Sequence, residues 1–305
     1  MTLTRAEFLK GLAAGTAIAV SPRFARAQEG APITRKIPSS GEALPAIGLG
    51  TAQNFGEVAD EAIFAGRKAV IRALLEGGGT VIDTAPTYTK ADAVIGRALA
   101  ELGMRDKAHI SEKVSISGEQ AGIDQIDRAF KDLRTARVET LLVHNLRDTQ
   151  VHLKTLRRLR DEGKVKYIGV TTSFANAYDN MIDTLNREKL DWMQINYALD
   201  GREVEKRILP LARDKGVAVM INLPFGRHRL FEKVRGKPLP SWAAEIDCTS
   251  WAQIFLKFVL ANEAVTVAIP GTNRAEHMKD NLGAMRGRLP SPAEVKRMIE
   301  TVEAA

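Results

Sequence analysis

The feature that most limits the fold of this chain is a regular alternation of short apolar runs with longer amphipathic segments. The apolar runs are rich in β-branched and aliphatic residues and are almost uninterrupted, which is typical of parallel strands covered on both faces. Eight such runs follow residue 45, at 47–51, 80–85, 108–114, 140–144, 166–172, 192–196, 217–223 and 265–270. Each is therefore predicted to be a strand of a parallel sheet.

The segments between these runs have the period of amphipathic helices, and several end at a glycine, which tolerates the left-handed backbone of a helix end. The predicted helices are 59–75, 125–134, 151–162, 202–215 and 250–261, with a further helix starting near Ala275. Strands and helices that alternate, with eight strands, predict an α/β fold of the closed (β/α)8 type, the TIM barrel.

The alternative is an open, doubly wound sheet, which usually has a G-x-G-x-x-G turn between its first strand and first helix. The run Gly48-Leu49-Gly50-Thr51-Ala52-Gln53 lacks the third glycine, and no helix is predicted directly after it. The closed barrel is therefore favoured.

Two further segments lie outside the alternation. Residues 35–38 and 44–47 are predicted to form an N-terminal β-hairpin that covers the bottom of the barrel. The connection 225–246 is too long for a simple strand-to-helix turn, and we expect it to be a functional loop.

Charge and composition argue against several classes of protein. The 305 residues carry a net charge of +7, but the basic residues alternate with acidic ones, and three Trp and four Tyr offer little for base stacking. No nucleic-acid partner is therefore expected. The body of the chain has no apolar run of about 18 residues, which argues against stable membrane insertion. Cys248 is the only cysteine. This excludes an intramolecular disulfide and a Cys-rich metal site, and no metal site is predicted.

Residues 1–27 have the pattern of an export signal, and residues 28–305 would form the barrel domain. Arg5 and Lys10 precede a short apolar run, and Ala25-Arg26-Ala27 is a small-x-small site with cleavage expected after Ala27. Residues 4–10 resemble a twin-arginine signal, but Ala6 stands where the second arginine belongs. We therefore expect a periplasmic or otherwise exported bacterial protein that engages the export machinery, by either the twin-arginine or the general route.

Four polar residues stand at or near the predicted ends of strands, where (β/α)8 enzymes place their catalytic groups. These are Asp83, Tyr88, Lys113 and His144. Asp83 and Lys113 lie on consecutive strands, so an ion pair between them would solve the burial of both charges. A tyrosine can act as an acid near neutral pH if its anion is stabilised, and Lys113 beside Tyr88 would do that. His144 could donate a hydrogen bond to a substrate carbonyl.

Over residues 33–303 the chain resembles the aldo-keto reductases. The resemblance rests on motifs in their usual order, namely Ile47-Gly48-Leu49-Gly50-Thr51, Ile82-Asp83-Thr84-Ala85-Pro86-x-Tyr88, Ile95-Gly96-x-Ala98-Leu99, Lys113-Val114, His144-Asn145, Ile168-Gly169-Val170-Thr171, Gln194-Ile195-Asn196-Tyr197 and Ile269-Pro270-Gly271-Thr272. It implies a reductase that converts an aldehyde or ketone to an alcohol. Tyr88 would be the proton donor, Lys113 and Asp83 its partners, and His144 the group that orients the carbonyl.

The same resemblance implies a nicotinamide dinucleotide cofactor and a set of residues around it. Those residues are Gly50, Thr51, Asn145, Thr172, Ser173, Gln194, Asn222, Phe225, Thr272, Asn273, Arg274, Asp280 and Asn281. Many members stack an aromatic ring on the nicotinamide where this chain has Asn222, so either Phe225 replaces that ring or hydrogen bonding holds the nicotinamide. Arg274 suits a 2′-phosphate, which favours NADP(H) over NAD(H).

A second interpretation remains open, namely a barrel that binds the nucleotide as a sensor or interaction module and turns over little. Asn222 and the export signal favour it, whereas the complete set of four polar residues favours the enzyme. We expect a monomer with a small carbonyl substrate. Candidates for an apolar pocket wall are Phe55, Trp192, Phe225, Trp242 and Trp251.

Overall fold

The computed structural model describes residues 30–305, so the export signal predicted at 1–27 lies outside the described residues. The strands are β1 (Thr34–Lys36), β2 (Ala43–Pro45), β3 (Leu49–Gly50), β4 (Val81–Asp83), β5 (His109–Val114), β6 (Val138–Val143), β7 (Val165–Thr172), β8 (Trp192–Asn196), β9 (Ala218–Asn222) and β10 (Val267–Ala268). The α-helices are α1 (Glu61–Glu76), α2 (Ala91–Leu102), α3 (Glu119–Asp132), α4 (Thr149–Asp161), α5 (Tyr178–Arg187), α6 (Ile208–Asp214), α7 (Arg229–Lys233), α8 (Trp251–Ala261), α9 (Ala275–Gly283) and α10 (Pro292–Glu303).

Strands β3 to β10 are parallel and adjacent in chain order, and they form the predicted eight-stranded barrel. The ring closes between its first and last strands through parallel bridges that join Ile47 to Ala268 and Gly50 to Gly271. Gly50 is needed at this seam because a Cβ atom there would lie 2.7 Å from the carbonyl oxygen of Ile269. The predicted closed barrel, with a strand at each of the eight apolar runs, is confirmed.

The predicted hairpin is formed by β1 and β2, which pair antiparallel. Ile37 and Leu44 of this hairpin are buried against residues of the barrel strands, among them Tyr167 and Trp192. The hairpin thus covers the bottom of the barrel with apolar side chains.

Several boundaries differ from the prediction for local reasons. The helix expected at 202–215 starts only at Ile208, after a 3₁₀ turn at Glu203–Glu205. Pro210 explains the break, because its ring would clash with the carbonyl four residues earlier in a longer helix. Helix α3 starts at Glu119, six residues before its predicted start, directly after Gly118 with φ of +93°. Helices α2, α5 and α10 were not among the predicted segments.

The long connection after β9 is more ordered than a bare loop. It contains α7 and a 3₁₀ helix at Ser241–Ile246, and Trp242 and Ile246 are buried in the core. Cys248, just beyond it, is also buried, and burial raises the pKa of its thiol to about 12. The thiol is therefore protonated and unreactive near neutral pH.

Candidate active site

The ends of three neighbouring strands bring charged and polar side chains to the open mouth of the barrel. Asp83 is the last residue of β4, Lys113 is the penultimate residue of β5, and His144 directly follows β6. In the β4–β5 register Asp83 faces Ser111, so Lys113 lies two residues further along the same face of β5. Tyr88 reaches the same mouth from the loop after β4 and lines the same cavity as Asp83 and His144.

Lys113 and Asp83 form a buried ion pair. The ammonium Nζ of Lys113 lies 2.7 Å from Oδ1 of Asp83 and donates a second hydrogen bond of 2.6 Å to the carbonyl oxygen of Thr84. The Lys113 side chain is fully buried, and Asp83 also accepts a hydrogen bond from the hydroxyl of Ser111 at 3.1 Å. Each charge is thus compensated by a partner and by further hydrogen bonds, as a buried pair requires.

The Lys113 ammonium also faces Tyr88, since its Nζ lies 5.5 Å from the centroid of the tyrosine ring. Burial alone would lower the pKa of Lys113, but Asp83 and Tyr88 outweigh this effect and raise it, so the lysine stays charged. Burial raises the pKa of the Tyr88 phenol, while Lys113 acts in the opposite direction. At neutral pH the phenol of Tyr88 is therefore protonated, and it lies beside the Lys113 ammonium, which can stabilise the phenolate.

His144 stands edge-on to Tyr88, with ring centroids 6.3 Å apart and an interplanar angle of 89°. Burial, reinforced by the nearby Lys113 charge, lowers the pKa of His144 to about 3, so the imidazole is neutral near pH 7. Nδ1 of His144 lies 3.0 Å from the hydroxyl oxygen of Ser115. If Ser115 donates in this contact, Nε2 bears the ring proton and can donate it to a ligand.

Asp83, Tyr88 and His144 line a cavity of about 720 Å³ at the mouth of the barrel. The residues predicted from the resemblance that line it are Gly50, Asn145, Ser173, Gln194, Asn222 and Phe225. Asn145, the second residue after β6, has φ of +53°, and its side-chain oxygen accepts a hydrogen bond of 3.3 Å from the backbone N–H of Ser173. The amide oxygen Oδ1 of Asn222 is buried and has no hydrogen-bond partner in the described part of the chain.

The other predicted cofactor residues do not line this cavity. Thr51 and Thr172 are buried beside it, where the hydroxyl of Thr51 donates to the carbonyl of Asp83 and the hydroxyl of Thr172 accepts from the N–H of Phe174. The remainder lie after β10 or on α9, namely Thr272, Asn273, Arg274, Asp280 and Asn281. Arg274 pairs there with Glu276. Their role in cofactor binding stays a prediction.

Asp280 is also engaged within the protein. Its two carboxylate oxygens accept hydrogen bonds of 2.7 Å, one from the Ser250 hydroxyl and one from the Gln253 amide. A ligand that used Asp280 would therefore share or replace these donors.

Sequence reasoning missed several residues of the site. Thr171 lines the cavity and donates a hydrogen bond of 2.9 Å to the amide oxygen of Gln194. The period of two along β7 would have found it, because Tyr167 packs inside the barrel and Thr171, four residues later, shares its face. Ser111 and Ser115, which bind Asp83 and His144, had no comparable signal.

The wall of the cavity is more polar than predicted. Of the five aromatic residues considered for it, only Phe225 contributes, since Phe55, Trp192 and Trp242 are buried in the core and Trp251 packs on Phe255. The remaining lining near Tyr88 includes Gln53, Asn54, Glu57, Thr87 and Thr89.

Among residues 30–305, no group of three His, Cys, Asp or Glu side chains is placed to hold a metal ion. Within that same range, none of the helices has the length and apolar character needed to cross a membrane.

The sequence of this chain is similar to those of known proteins. A family model described as "Aldo/keto reductase family" matches residues 46–303. The chain is 27% identical over 268 residues to "Methylglyoxal reductase YeaE" of Escherichia coli (strain K12), covering 84% of this chain and 91% of that protein. It is 24% identical over 287 residues to "Probable aldo-keto reductase 1" of Glycine max, covering 77% and 78%.

The fold of this chain is also similar to those of solved structures. An aldo-keto reductase from Klebsiella pneumoniae in complex with NADPH superposes with a TM-score of 0.74 at 26% identity, covering 89% of this chain and 95% of that one. The glycerol dehydrogenase AKR11B4 from Gluconobacter oxydans, at 21% identity and a TM-score of 0.73 with coverage of 89% and 95%, shares the fold. Because the family model spans most of the chain, the protein belongs to the aldo/keto reductase family of enzymes.

Proposed function

We propose that this protein reduces an aldehyde or ketone to the corresponding alcohol with NADP(H), and that Tyr88 supplies the proton. The observation that supports this most strongly is the continuous arrangement of Asp83, Lys113 and Tyr88 at the mouth of the barrel, with His144 beside the phenol. When bound, the nicotinamide supplies a hydride to the carbonyl carbon.

The side chains of the site would share the remaining work. Tyr88 gives its phenolic proton to the carbonyl oxygen as negative charge develops there, and Lys113 stabilises the phenolate that is left. Asp83 keeps the ammonium charged and fixes its position. The neutral His144 can donate a hydrogen bond to the same oxygen, so that the carbonyl is polarised and held in one orientation.

The cavity residues fit a nicotinamide carboxamide. This group has two N–H donors and one carbonyl acceptor, and the buried, unpartnered Oδ1 of Asn222 is an acceptor that lacks a donor. The amides of Asn145 and Gln194 and the hydroxyl of Ser173 offer further partners at the same cavity. We therefore assign nicotinamide binding to these four residues, by hydrogen bonding rather than by aromatic stacking.

Arg274 supports a preference for NADP(H). Its guanidinium is exposed, and within residues 30–305 its one carboxylate partner is the exposed Glu276, so a 2′-phosphate could replace that carboxylate at little cost. We expect Arg274→Ala to raise the KM for NADPH by at least about tenfold, which corresponds to the free energy of one hydrogen bond to a charged group, while the KM for NADH stays unchanged. Steady-state kinetics with both nucleotides measure this, with Arg235→Ala, a surface arginine paired with Glu232, as the control. Equal effects on both nucleotides would contradict the assignment.

A single-turnover experiment tests the proposed function against a binding or sensing role. NADPH is bound to the protein at a concentration below that of the protein, and a reactive small aldehyde such as methylglyoxal, the compound in the name of the Escherichia coli relative, is added. Rapid loss of the reduced-nicotinamide absorbance supports the reductase. Tight binding of NADPH without that loss, for a panel of aldehydes and ketones, supports the sensor.

We also propose that residues 1–27 direct export and are removed. The support is the pattern of positive charge, apolar run and Ala25-Arg26-Ala27 site in the sequence. We expect the protein isolated from a bacterial periplasm to start at Gln28, and Ala27→Leu to leave the segment attached. Mass spectrometry of the intact protein measures both, and a cytoplasmic protein that starts at Met1 would contradict the proposal.

A further inference from the structure

Two carboxyl groups meet behind the active site, in the layer between β5 and α2. Glu112 precedes Lys113 in β5, so its side chain points to the opposite face of the strand, away from the barrel interior. Asp92 comes from the first turn of α2, and its carboxyl group lies close enough to Glu112 for each group to affect the pKa of the other. Glu112 is 0% exposed and Asp92 only 7%, so bulk solvent screens neither carboxyl group.

The hydrogen bonds of this pair are incomplete if both groups are ionised. Oε1 of Glu112 accepts from the backbone N–H of Lys113 at 2.6 Å, and Oδ1 of Asp92 accepts from the hydroxyl of Thr84 at 2.7 Å. Oε2 of Glu112 is buried and receives no donor within residues 30–305. Two neighbouring carboxylates in a buried site repel each other, and an unpartnered buried oxygen is costly, whereas one proton shared by the two groups removes both problems.

The charges around the pair favour retention of that proton. The carboxylate of Asp132, at the end of α3, acts on Asp92 in the same direction as burial, and Lys113 opposes it. Burial first, and then Asp92, raise the pKa of Glu112 well above its ordinary value. The residue opposite Glu112 on β6 is Leu141, which has no charge, and Asp83 on β4 is already paired with Lys113.

The same two groups also hold the parts of the chain that position the lysine. Thr84 accepts a hydrogen bond from Nζ of Lys113 through its carbonyl and donates one to Asp92 through its hydroxyl. Glu112 accepts from the backbone N–H of Lys113. We propose that Asp92 and Glu112 share one proton and together form a positioning pair, which fixes Thr84 and Lys113 so that the ammonium faces Tyr88.

This proposal predicts a specific response to alkaline pH. Loss of the shared proton adds a second negative charge behind Lys113. A negative charge on Glu112 raises the pKa of Tyr88, so the phenol becomes a weaker acid. The stability effect has a defined sign. A carboxyl whose pKa is raised by folding contributes stability that is complete below its unfolded pKa, about 4.3 for Glu, and is lost as pH rises through the folded value.

The test uses Glu112→Gln, because glutamine can accept from the N–H of Lys113 and donate to an ionised Asp92, as a protonated Glu112 would. The control is Glu139→Gln, which removes a partly buried carboxylate on β6 that pairs with Arg105. Infrared spectra of the whole protein without substrate, at neutral pH, should contain the carbonyl stretch of a buried, protonated carboxyl group. This band should be absent in the Glu112 variant and present in the Glu139 variant.

Two further measurements separate positioning from a merely structural role. We expect the stability of Glu112→Gln relative to the wild type to rise with pH above about 4.3, the pKa of glutamate in an unfolded chain. In that range unfolding of the wild type releases the proton of Glu112, whereas the variant has no such proton to release. In the kinetics, which depend on the proposed function, the variant should lack one of the alkaline ionisations of the wild-type kcat profile. A wild type without the infrared band, or a band that survives in Glu112→Gln, would overturn the proposal whether or not the protein is a reductase.

Discussion

Replacing Tyr88 with phenylalanine is expected to lower the rate of carbonyl reduction by about 10²–10⁴-fold, the range for loss of a general acid. The ring would remain edge-on to His144 and in front of Lys113, so only the proton that reaches the carbonyl oxygen is lost. NADPH binding should be nearly unchanged, because the residues proposed to hold the nucleotide are not altered. Single-turnover absorbance measures the rate, and a fluorescence titration measures the dissociation constant.

Tyr167→Phe is a matched control for this experiment. Tyr167 also has a hydroxyl with hydrogen-bond partners, Ser40 and Glu42, but it lies at the bottom of the barrel beneath the hairpin. The Tyr167→Phe variant should reduce substrate at the wild-type rate. If Tyr88→Phe also retained that rate, Tyr88 would not be the acid, and the proposed mechanism would be wrong.

The second large effect concerns the buried ion pair. Lys113→Met removes the ammonium and leaves the carboxylate of Asp83 buried without its partner, which typically costs about 3–5 kcal/mol of folding free energy. The rate of reduction should also fall by about 10²–10³-fold, because the phenolate of Tyr88 would lose its electrostatic stabilisation. Denaturant unfolding at neutral pH and single-turnover kinetics measure the two losses separately.

The double variant Asp83→Asn, Lys113→Met separates stability from catalysis. It removes both charges, so the free energy of unfolding should recover most of what the single variant loses, whereas the rate should stay low. It also provides a folded protein if the single variant does not fold. Recovery of the rate along with the stability would mean that Lys113 has only a structural role.

The architecture could be predicted from the sequence because its determinants are local and repeated. A buried parallel strand needs a nearly continuous apolar run, and each of the eight runs became a strand of the ring. Polar residues that interrupt such runs, such as Asp83 and Lys113, are costly to bury and were therefore visible as candidate site residues.

Other features depend on contacts that no local pattern reveals. Ser115 approaches His144 from just beyond the end of the neighbouring strand β5, and Asp92 on α2 acts on Glu112 on β5. The orientation of Asn145 depends on a left-handed backbone after β6, which asparagine adopts more readily than most residues but which its presence alone does not predict. Such details follow from the packing of elements rather than from their periodicity.

The seam between β3 and β10 has a consequence for folding during synthesis. Its partners, residues 47–50 and 267–271, are separated by more than two hundred positions in the chain, and each strand there has only two residues. Contacts between such distant positions form slowly, because a long loop of chain must be ordered first. Although Asp83, Lys113 and His144 leave the ribosome early, the ring that surrounds them can close only after the last strand has emerged.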